Sequence, residues 1–275
     1  KETNNRSLRI LLNTQIVIVQ RKGGRTDMAQ EIFERYEKKY LLTEAQYLGL
    51  KRVFEDRMAA DAYGVHTISN IYFDTKDFEL IRTSLDGPVY KEKLRLRAYG
   101  AVNEKSTVFL EMKKKYSGVV YKRRVPMELV SAVLYLNNGI LPESENQIFR
   151  EIQYMKQRYH LEPAAYVAYD RLACYCKTDE ELRVTFDWNI RCRNEALDLR
   201  AGAYGNSLLD AGCVLMEVKI PGAMPVWMSR AFSELSIYPV SFSKYGRYYR
   251  EYLLREEGAE PEYKQNTIKG GRVCA

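Results

Sequence analysis

Histidine is scarce in this sequence, since only two occur in 275 residues, His66 and His160. A Ser-His-Asp triad or a zinc site built on histidine therefore has little material, and we expect both residues at the surface. The five cysteines form an odd set without CxxC pairs, which predicts reduced thiols rather than a disulfide framework. Neither a GxxxxGK[ST] nor a GxGxxG motif occurs, which argues against P-loop and Rossmann nucleotide binding.

Long apolar runs are also missing. Residues 8–19 are apolar but are interrupted by Asn13, Thr14 and Gln15, so the segment is too short and too polar to span a bilayer. We expect residues 1–27 to be a non-native or disordered extension with Met28 as the natural start, 28–255 to be the folded domain, and 256–275 to be a disordered tail. The expected location is the cytoplasm, with a membrane-protein partner and the oligomeric state left open.

Positive charge is abundant: 43 basic residues against 36 acidic ones give a net charge of +7. This balance suggests an anionic partner without naming it. The 46% of hydrophobic residues and the 22 tyrosines are typical of a folded globule, and 275 residues suffice to bury a substantial core.

The most informative stretch is 90–125, where three segments alternate with period two. Such alternation predicts strands whose neighbouring side chains point to opposite faces, and the turns between the segments favour an antiparallel meander. One face of the three strands is apolar. The other carries eight cations and one carboxylate: Lys91, Lys93, Arg95, Arg97, Glu111, Lys113, Lys115, Lys122 and Arg124.

A sheet with one solvated side is the simple interpretation of this pattern. Solvated faces usually mix charges of both signs, however, and like charges on neighbouring strands repel each other, by up to about 4 kcal/mol for a close pair. A face of this kind is expected to persist when it has a polyanion to hold. We therefore interpret it as a binding surface.

The rest of the chain repeats the pattern. Strands are predicted over 32–42, 67–74, 163–176, 182–191 and 212–220, and helices over 43–60, 76–85, 127–137, 143–159, 225–235 and 243–254. Charge on one face of every strand is difficult to place in an open sheet. It is natural in a closed antiparallel barrel with polar inner walls and helices packed outside. The predicted fold is therefore α+β, a closed antiparallel β-barrel whose basic interior forms a tunnel.

Six motifs in sequence order resemble the VTC domain, the polyphosphate polymerase domain of the vacuolar transporter chaperone complex, which also occurs as free-standing bacterial proteins. The family belongs to the triphosphate tunnel metalloenzymes. The motifs are RYEKKY at 35–40, IYFDT at 71–75, KLRLRAYG at 93–100, FLEMK at 109–113, LMEVK at 215–219 and FSKY at 242–245. The resemblance covers about Phe33 to Tyr249, and nothing resembling an SPX domain precedes it.

The resemblance implies an eight-stranded antiparallel tunnel in which the terminal phosphate of ATP is moved onto a growing polyphosphate chain with Mn²⁺ or Mg²⁺. Its catalytic residues would be Lys39, Arg95, Arg97 and Glu217. Its phosphate- and nucleotide-binding residues would be Lys93, Lys113, Lys122, Arg171, Arg183, Lys219, Ser243 and Lys244. Phosphoryl transfer needs positioning and charge neutralisation above all, and Arg and Lys side chains supply both.

Glu217 would be the main metal ligand, with Glu37 and Glu111 as helpers, since one or two carboxylates plus substrate oxygens typically hold a hard divalent ion. Salt bridges to neighbouring cations are the alternative for Glu37 and Glu111. Asp187 is expected to partner Arg183. Exposed positions at the rim are expected for Lys91, Lys115 and Arg124.

Two other functions stay open. A metal-dependent triphosphatase would use the same tunnel with water as the acceptor, but that branch usually opens with Glu-x-Glu-x-Lys, and Arg35 stands at the first of these positions. A nucleic-acid or polyanion binding module would stack bases on aromatic side chains that share the cationic face. Tyr36, Tyr40, Tyr90 and Tyr121 are predicted on the opposite face, so no nucleic-acid partner is expected.

Overall fold

A computed structural model describes residues 15–18, 34–117, 119–140 and 147–256. The strands are β1 (Gln15–Ile18), β2 (Glu34–Leu42), β3 (Met58–Ala60), β4 (His66–Asp74), β5 (Tyr90–Tyr99), β6 (Thr107–Tyr116), β7 (Val119–Glu128), β8 (Glu162–Cys176), β9 (Asp179–Arg193), β10 (Asn206–Ser207), β11 (Val214–Pro221) and β12 (Pro239–Val240). The helices are α1 (Glu44–Phe54), α2 (Glu79–Leu85), α3 (Leu129–Asn138), α4 (Gln147–Tyr159), α5 (Val226–Glu234), α6 (Lys244–Tyr248) and α7 (Leu254–Glu256), with a π-helical turn at Tyr249–Leu253 between the last two.

The strands form one mostly antiparallel sheet with the order β10-β9-β11-β2-β1-β7-β6-β5-β4-β8-β3, in which β8 also pairs with β9 and β12 with β2. A regular, closed eight-stranded barrel was predicted, and the described strands do not form one. Among them β2 and β7 are not paired with each other. The short strand β1 lies between them, antiparallel to β2 and parallel to β7 over two residue pairs. The α+β class with a mostly antiparallel sheet is confirmed.

The predicted alternation of side chains is confirmed in the meander β5-β6-β7. Leu94, Leu96 and Leu110 lie on the outer face of the sheet, where they pack against α3 and α4. A second outer cluster covers β2, β9 and β11 with side chains from α1 and α5, among them Leu50 and Phe232. The opposite face, which carries the charged side chains, is called the inner face below.

Helices were predicted to pack outside the sheet only, and the C-terminal helix is different. Tyr245, Tyr248 and Leu253 join an apolar cluster with inner-face side chains such as Tyr72 and Leu215. The hydroxyl of Tyr245 donates to the buried carboxylate of Asp74 at 2.9 Å, and its ring stacks on Tyr72 at 5.0 Å. The tyrosine-rich sequence of this helix explains the packing, because an apolar part of the inner face needs a cover.

The first helix begins where it was predicted and ends earlier. Thr43 caps α1 in a reciprocal capping box with Gln46. The helix was predicted to reach about residue 60, but it ends at Phe54, and Met58–Ala60 forms β3 against the end of β8. Met58 is buried there in the same apolar cluster as Phe54.

Much of both termini lies outside the described residues. That part includes Met28, most of the predicted extension 1–27 and the tail beyond 256. Within the extension, Gln15–Ile18 pairs with β2 and β7. Three cysteines (Cys174, Cys176 and Cys192) carry free thiols as predicted, whereas Cys213 is disulfide-bonded. Of the helices described, none combines the length and the apolar character that a bilayer crossing requires.

Candidate functional site

The inner face brings together charged side chains from strands that are distant in the sheet. Lys113 on β6 lies within electrostatic range of Glu37 on β2 and Glu217 on β11, although β7 and β1 separate these strands in the sheet order. Arg97 on β5 donates to the hydroxyl of Tyr169 on β8 at 3.3 Å. The sheet is therefore curved so that distant parts of its inner face lie opposite each other across a space lined with cations.

The first cluster in this space surrounds Glu111, whose side chain is only 2% exposed. Arg95 donates to its Oε2 through Nε at 2.8 Å and approaches it through Nη2 at 2.6 Å. Nε of Arg97 lies 3.8 Å from Oε2, and Lys122 and Arg124 lie 3.4 and 3.5 Å from Oε1. Burial would raise the pKa of Glu111, but Arg95, Arg97 and Lys122 lower it to about 2. Glu111 therefore forms salt bridges to neighbouring cations, which was one of the two alternatives given for it.

The second cluster is centred on Asp187, which is fully buried. Arg171 donates to both of its oxygens, from Nε at 2.6 Å and from Nη2 at 2.7 Å. Lys244 at the start of α6 donates to Oδ2 at 2.6 Å. The prediction that Asp187 partners Arg183 is therefore wrong. Arg183 lies on the same face but is exposed, and its Nε donates to the carbonyl of Glu180 at 3.1 Å.

Tyr169 connects the two clusters. Its ring has the ammonium of Lys244 4.2 Å from its centroid and the guanidinium of Arg171 at 5.0 Å, while its hydroxyl accepts from Arg97. Burial would raise the pKa of Tyr169, but Arg97, Arg171 and Lys244 lower it to about 8. An added negative charge is therefore favoured at this place in the protein.

A group of lysines lies beside these clusters. Burial, followed by the charges of Lys113, Lys39 and Lys91, lowers the pKa of Lys93 to about 7. Nζ of Lys93 is 3.5 Å from the hydroxyl of Ser243, and Lys39 donates to the carbonyl of Phe242 at 2.9 Å. Burial also lowers the pKa of Lys113. Ammonium groups as close as these repel one another, and an anion bound between them would offset that repulsion.

Two carboxylates face the lysines from β2 and β11. Glu217 is paired across the strands with Lys39, and Glu37 with Lys219, so the two carboxylates lie two residues apart in register on one face. Nζ of Lys219 is 3.5 Å from Glu217, and Nζ of Lys39 is 3.9 Å from Glu37. Burial would raise the pKa of Glu217, but Lys219, Lys39 and further cations hold it well below its usual range. Glu217 is therefore ionised at neutral pH.

Some predicted residues lie at the edges of the space. Arg124 is partly exposed, and Lys91 donates to the carbonyl of Ser84 at 3.1 Å. Lys115 is half-buried, which lowers its pKa. His160 is exposed as expected, whereas His66 is half-buried on the inner face.

Inner-face residues without charge were missed by sequence reasoning. Tyr72 accepts from Arg95 at 3.2 Å, and Asn70 accepts from Arg97 at 2.9 Å. Both could have been found, because they alternate with outward residues in the motif around 71–75 as the cations do in β5. Tyr40 and Tyr121 lie on the outer face as predicted, but Tyr72 and Tyr169 show that aromatic rings also share the cationic face.

Known protein families and solved structures resemble this chain in sequence or in fold. A family model described as the VTC domain matches residues 34–251. A putative adenylate cyclase from Bacillus halodurans is similar in structure with a TM-score of 0.46 and 15% identity, over 75% of this chain and 92% of that one. A putative adenylyl cyclase from Hippeastrum, described as having a dominant triphosphatase activity, has a TM-score of 0.42 and 14% identity, over 82% and 97% of the two chains. No curated protein matches the sequence. The family model matches well over half of this chain, and the chain therefore belongs to the VTC domain family.

Proposed function

We propose that this protein is a polyphosphate polymerase that transfers the terminal phosphoryl group of ATP onto a growing chain of inorganic polyphosphate. The observation that carries the proposal is the collection of cations on the inner face, which outnumber the carboxylates beside them. They include Lys39, Lys93, Arg95, Arg97, Lys113, Lys122, Arg171, Lys219 and Lys244. A space lined in this way suits a linear polyanion, because every phosphate along it can meet a cation.

The reaction exchanges one phosphoanhydride bond for another. The bond between the β- and γ-phosphates of ATP breaks, ADP leaves, and an oxygen of the terminal polyphosphate unit bonds to the transferred phosphorus. That attacking oxygen is already ionised at neutral pH, so it needs no general base. Positioning and charge neutralisation therefore carry the reaction.

We assign the positioning to the cations that face the space between the walls. Lys39, Lys93 and Lys113 surround one part of it, and the forked guanidinium groups of Arg95 and Arg97 reach it from β5. Fixed cations of this kind stabilise the charge that spreads over the phosphoryl oxygens in the transition state. Ser243, Lys122 and Arg183 would extend the phosphate contacts along the tunnel.

The side chains present fit a divalent ion held jointly with the substrate. Among the described residues no three His, Cys, Asp or Glu side chains are grouped closely enough to hold a metal ion by themselves. Glu217 is ionised and has Glu37 on the neighbouring strand, and such an ion usually keeps water and phosphate ligands besides one or two carboxylates. We propose that Glu217 and Glu37 hold Mn²⁺ or Mg²⁺, which would neutralise phosphate charge when bound.

The test is to incubate the purified protein with ATP and Mn²⁺ and to separate the product on a gel stained for polyphosphate. We expect a long polymer, and none without the divalent ion. Glu217→Gln should abolish synthesis while the far-UV circular dichroism stays that of the wild type. Glu162→Gln is the matched control, because Glu162 is exposed at the start of β8. Release of inorganic phosphate without polymer would instead identify a triphosphatase.

A further inference from the structure

A cluster of aromatic rings lies where β4 and β5 meet one edge of the inner face. The ring of His66 is 6.2 Å from that of Tyr63 and 6.0 Å from that of Tyr99, and Tyr99 is 5.6 Å from Phe109 in an edge-to-face arrangement. Arg124 places its guanidinium 3.5 Å from the centroid of Phe109. These five side chains are called the rim cluster.

The rim cluster is continuous with the cations of the inner face. Arg124 donates from Nη2 to the hydroxyl of Tyr99 at 3.3 Å, while its Nε lies 3.5 Å from Glu111. Tyr99 follows Arg95 and Arg97 on the same face of β5, two residues beyond Arg97. Two residues of a strand span about 7 Å, which leaves room for a sugar between a ring at Tyr99 and a phosphate at Arg97.

Two rings of the rim cluster, those of Tyr63 and Tyr99, are open to solvent, unlike the inner-face rings of Tyr72 and Tyr169. Tyr63 is 80% exposed and Tyr99 is 40% exposed, whereas Tyr72 and Tyr169 are buried. Exposed aromatic rings beside a cationic channel match the two ends of a nucleotide, a flat base that stacks and a phosphate chain that needs cations. The polymer product has no base, so such rings would serve only the nucleotide.

We propose, building on the proposed function, that the rim cluster is the subsite for the base of the nucleoside triphosphate, with the base stacked on Tyr99. The base enters at this edge, and the triphosphate extends from Arg97 toward the lysines beyond. The rim cluster therefore decides whether the phosphoryl donor is a nucleotide or a bare inorganic triphosphate. Its side chains contact the aromatic base rather than the phosphates.

The experiment compares two ligands by calorimetric titration of the full chain: the β,γ-imido analogue of ATP, which is not turned over, and inorganic tripolyphosphate. Tyr99→Ala should weaken binding of the ATP analogue about tenfold, as expected for one lost stacking partner. Tripolyphosphate affinity should stay within about twofold, because stacking acts on the base alone. Tyr99→Phe keeps the ring and should retain the affinity of the wild type for the ATP analogue.

Tyr121→Ala is the control, since Tyr121 is comparably exposed (51%) but lies on the outer face of β7. Both ligands should bind it as they bind the wild type. If Tyr99→Ala weakened the binding of both ligands equally, the base subsite would be overturned, whereas the proposed binding of phosphates would not be contradicted. Unchanged binding of both ligands would also overturn it. A wild-type protein that binds neither ligand would contradict the proposed function itself.

Discussion

Arg171 and Asp187 form a two-pronged ion pair between β8 and β9, with Nε 2.6 Å from Oδ1 and Nη2 2.7 Å from Oδ2. The same carboxylate accepts from Lys244, so it also ties the C-terminal helix to the wall of the site. Burial would lower the pKa of Lys244, but Asp187 beside it raises that pKa. Asp187 therefore keeps two cations charged and in place without exposing its own charge.

Removing the charge of Asp187 should be costly for the fold. Asp187→Asn leaves Arg171 and Lys244 as buried, uncompensated cations, and breaking such a buried pair costs about 3–5 kcal/mol. Urea unfolding at pH 7 measures the loss. The exposed pair of Asp77 and Arg82, with Nη2 2.6 Å from Oδ2, supplies the control. Asp77→Asn should leave the free energy of unfolding close to that of the wild type, because exposed ion pairs contribute little. Equal losses in the two variants would contradict this account.

The contribution of Glu111 to the free energy of unfolding should depend on pH. Its pKa of about 2 in the folded protein lies below the value of about 4.3 expected in the unfolded chain. The contribution is therefore fully present above about pH 5 and is lost as the pH falls toward 2. The difference in unfolding free energy between wild type and Glu111→Gln should be about 3 kcal/mol at pH 7 and about half of that at pH 3.

Urea titrations at several pH values between 3 and 7 measure this difference. Glu162→Gln, at an exposed position, should match the wild type throughout. A difference for Glu111→Gln that stays constant over the whole range would show that the ion pairs do not set the pKa of Glu111.

Anion binding should take up a proton at mildly alkaline pH. The pKa of Lys93 is about 7 in the free protein, so most of the protein carries a neutral Lys93 at pH 8. A polyphosphate bound beside it would raise that pKa, and about one proton should be taken up per ligand. Calorimetry with tripolyphosphate in buffers of different ionisation enthalpy measures the uptake. Lys93→Met should remove it, while Lys105→Met, in an exposed turn, should retain it.

Thr185 should be replaceable by valine with a gain in stability. Its hydroxyl is buried beside Glu217 on the neighbouring strand and has no hydrogen-bond partner within the described part of the chain. Thr185→Val removes the cost of burying that hydroxyl and should stabilise the fold by about 1 kcal/mol. Thr67→Val should destabilise by a similar amount, because the Thr67 hydroxyl donates to Asp170 at 2.8 Å. Thermal unfolding of both variants checks the opposite signs.

The local order of the fold was predictable because it follows from local rules. Period-two alternation placed Lys93, Arg95 and Arg97 on one face of β5, and the helix predicted from residue 43 does begin at the Thr43 cap. The end of α1 was not predictable in this way. Met58–Ala60 becomes a strand because β8, more than a hundred residues later, offers it an edge.

The sequence by itself determined which side chains lie on the cationic face, since alternation along a strand needs no knowledge of other strands. Only the tertiary structure decided which charges meet: Glu111 with four cations, and Asp187 with Arg171 and Lys244 rather than with Arg183. It also placed the C-terminal helix against the inner face. Alternation along a strand specifies a side but contains neither the register between strands nor the curvature that turns one wall toward another.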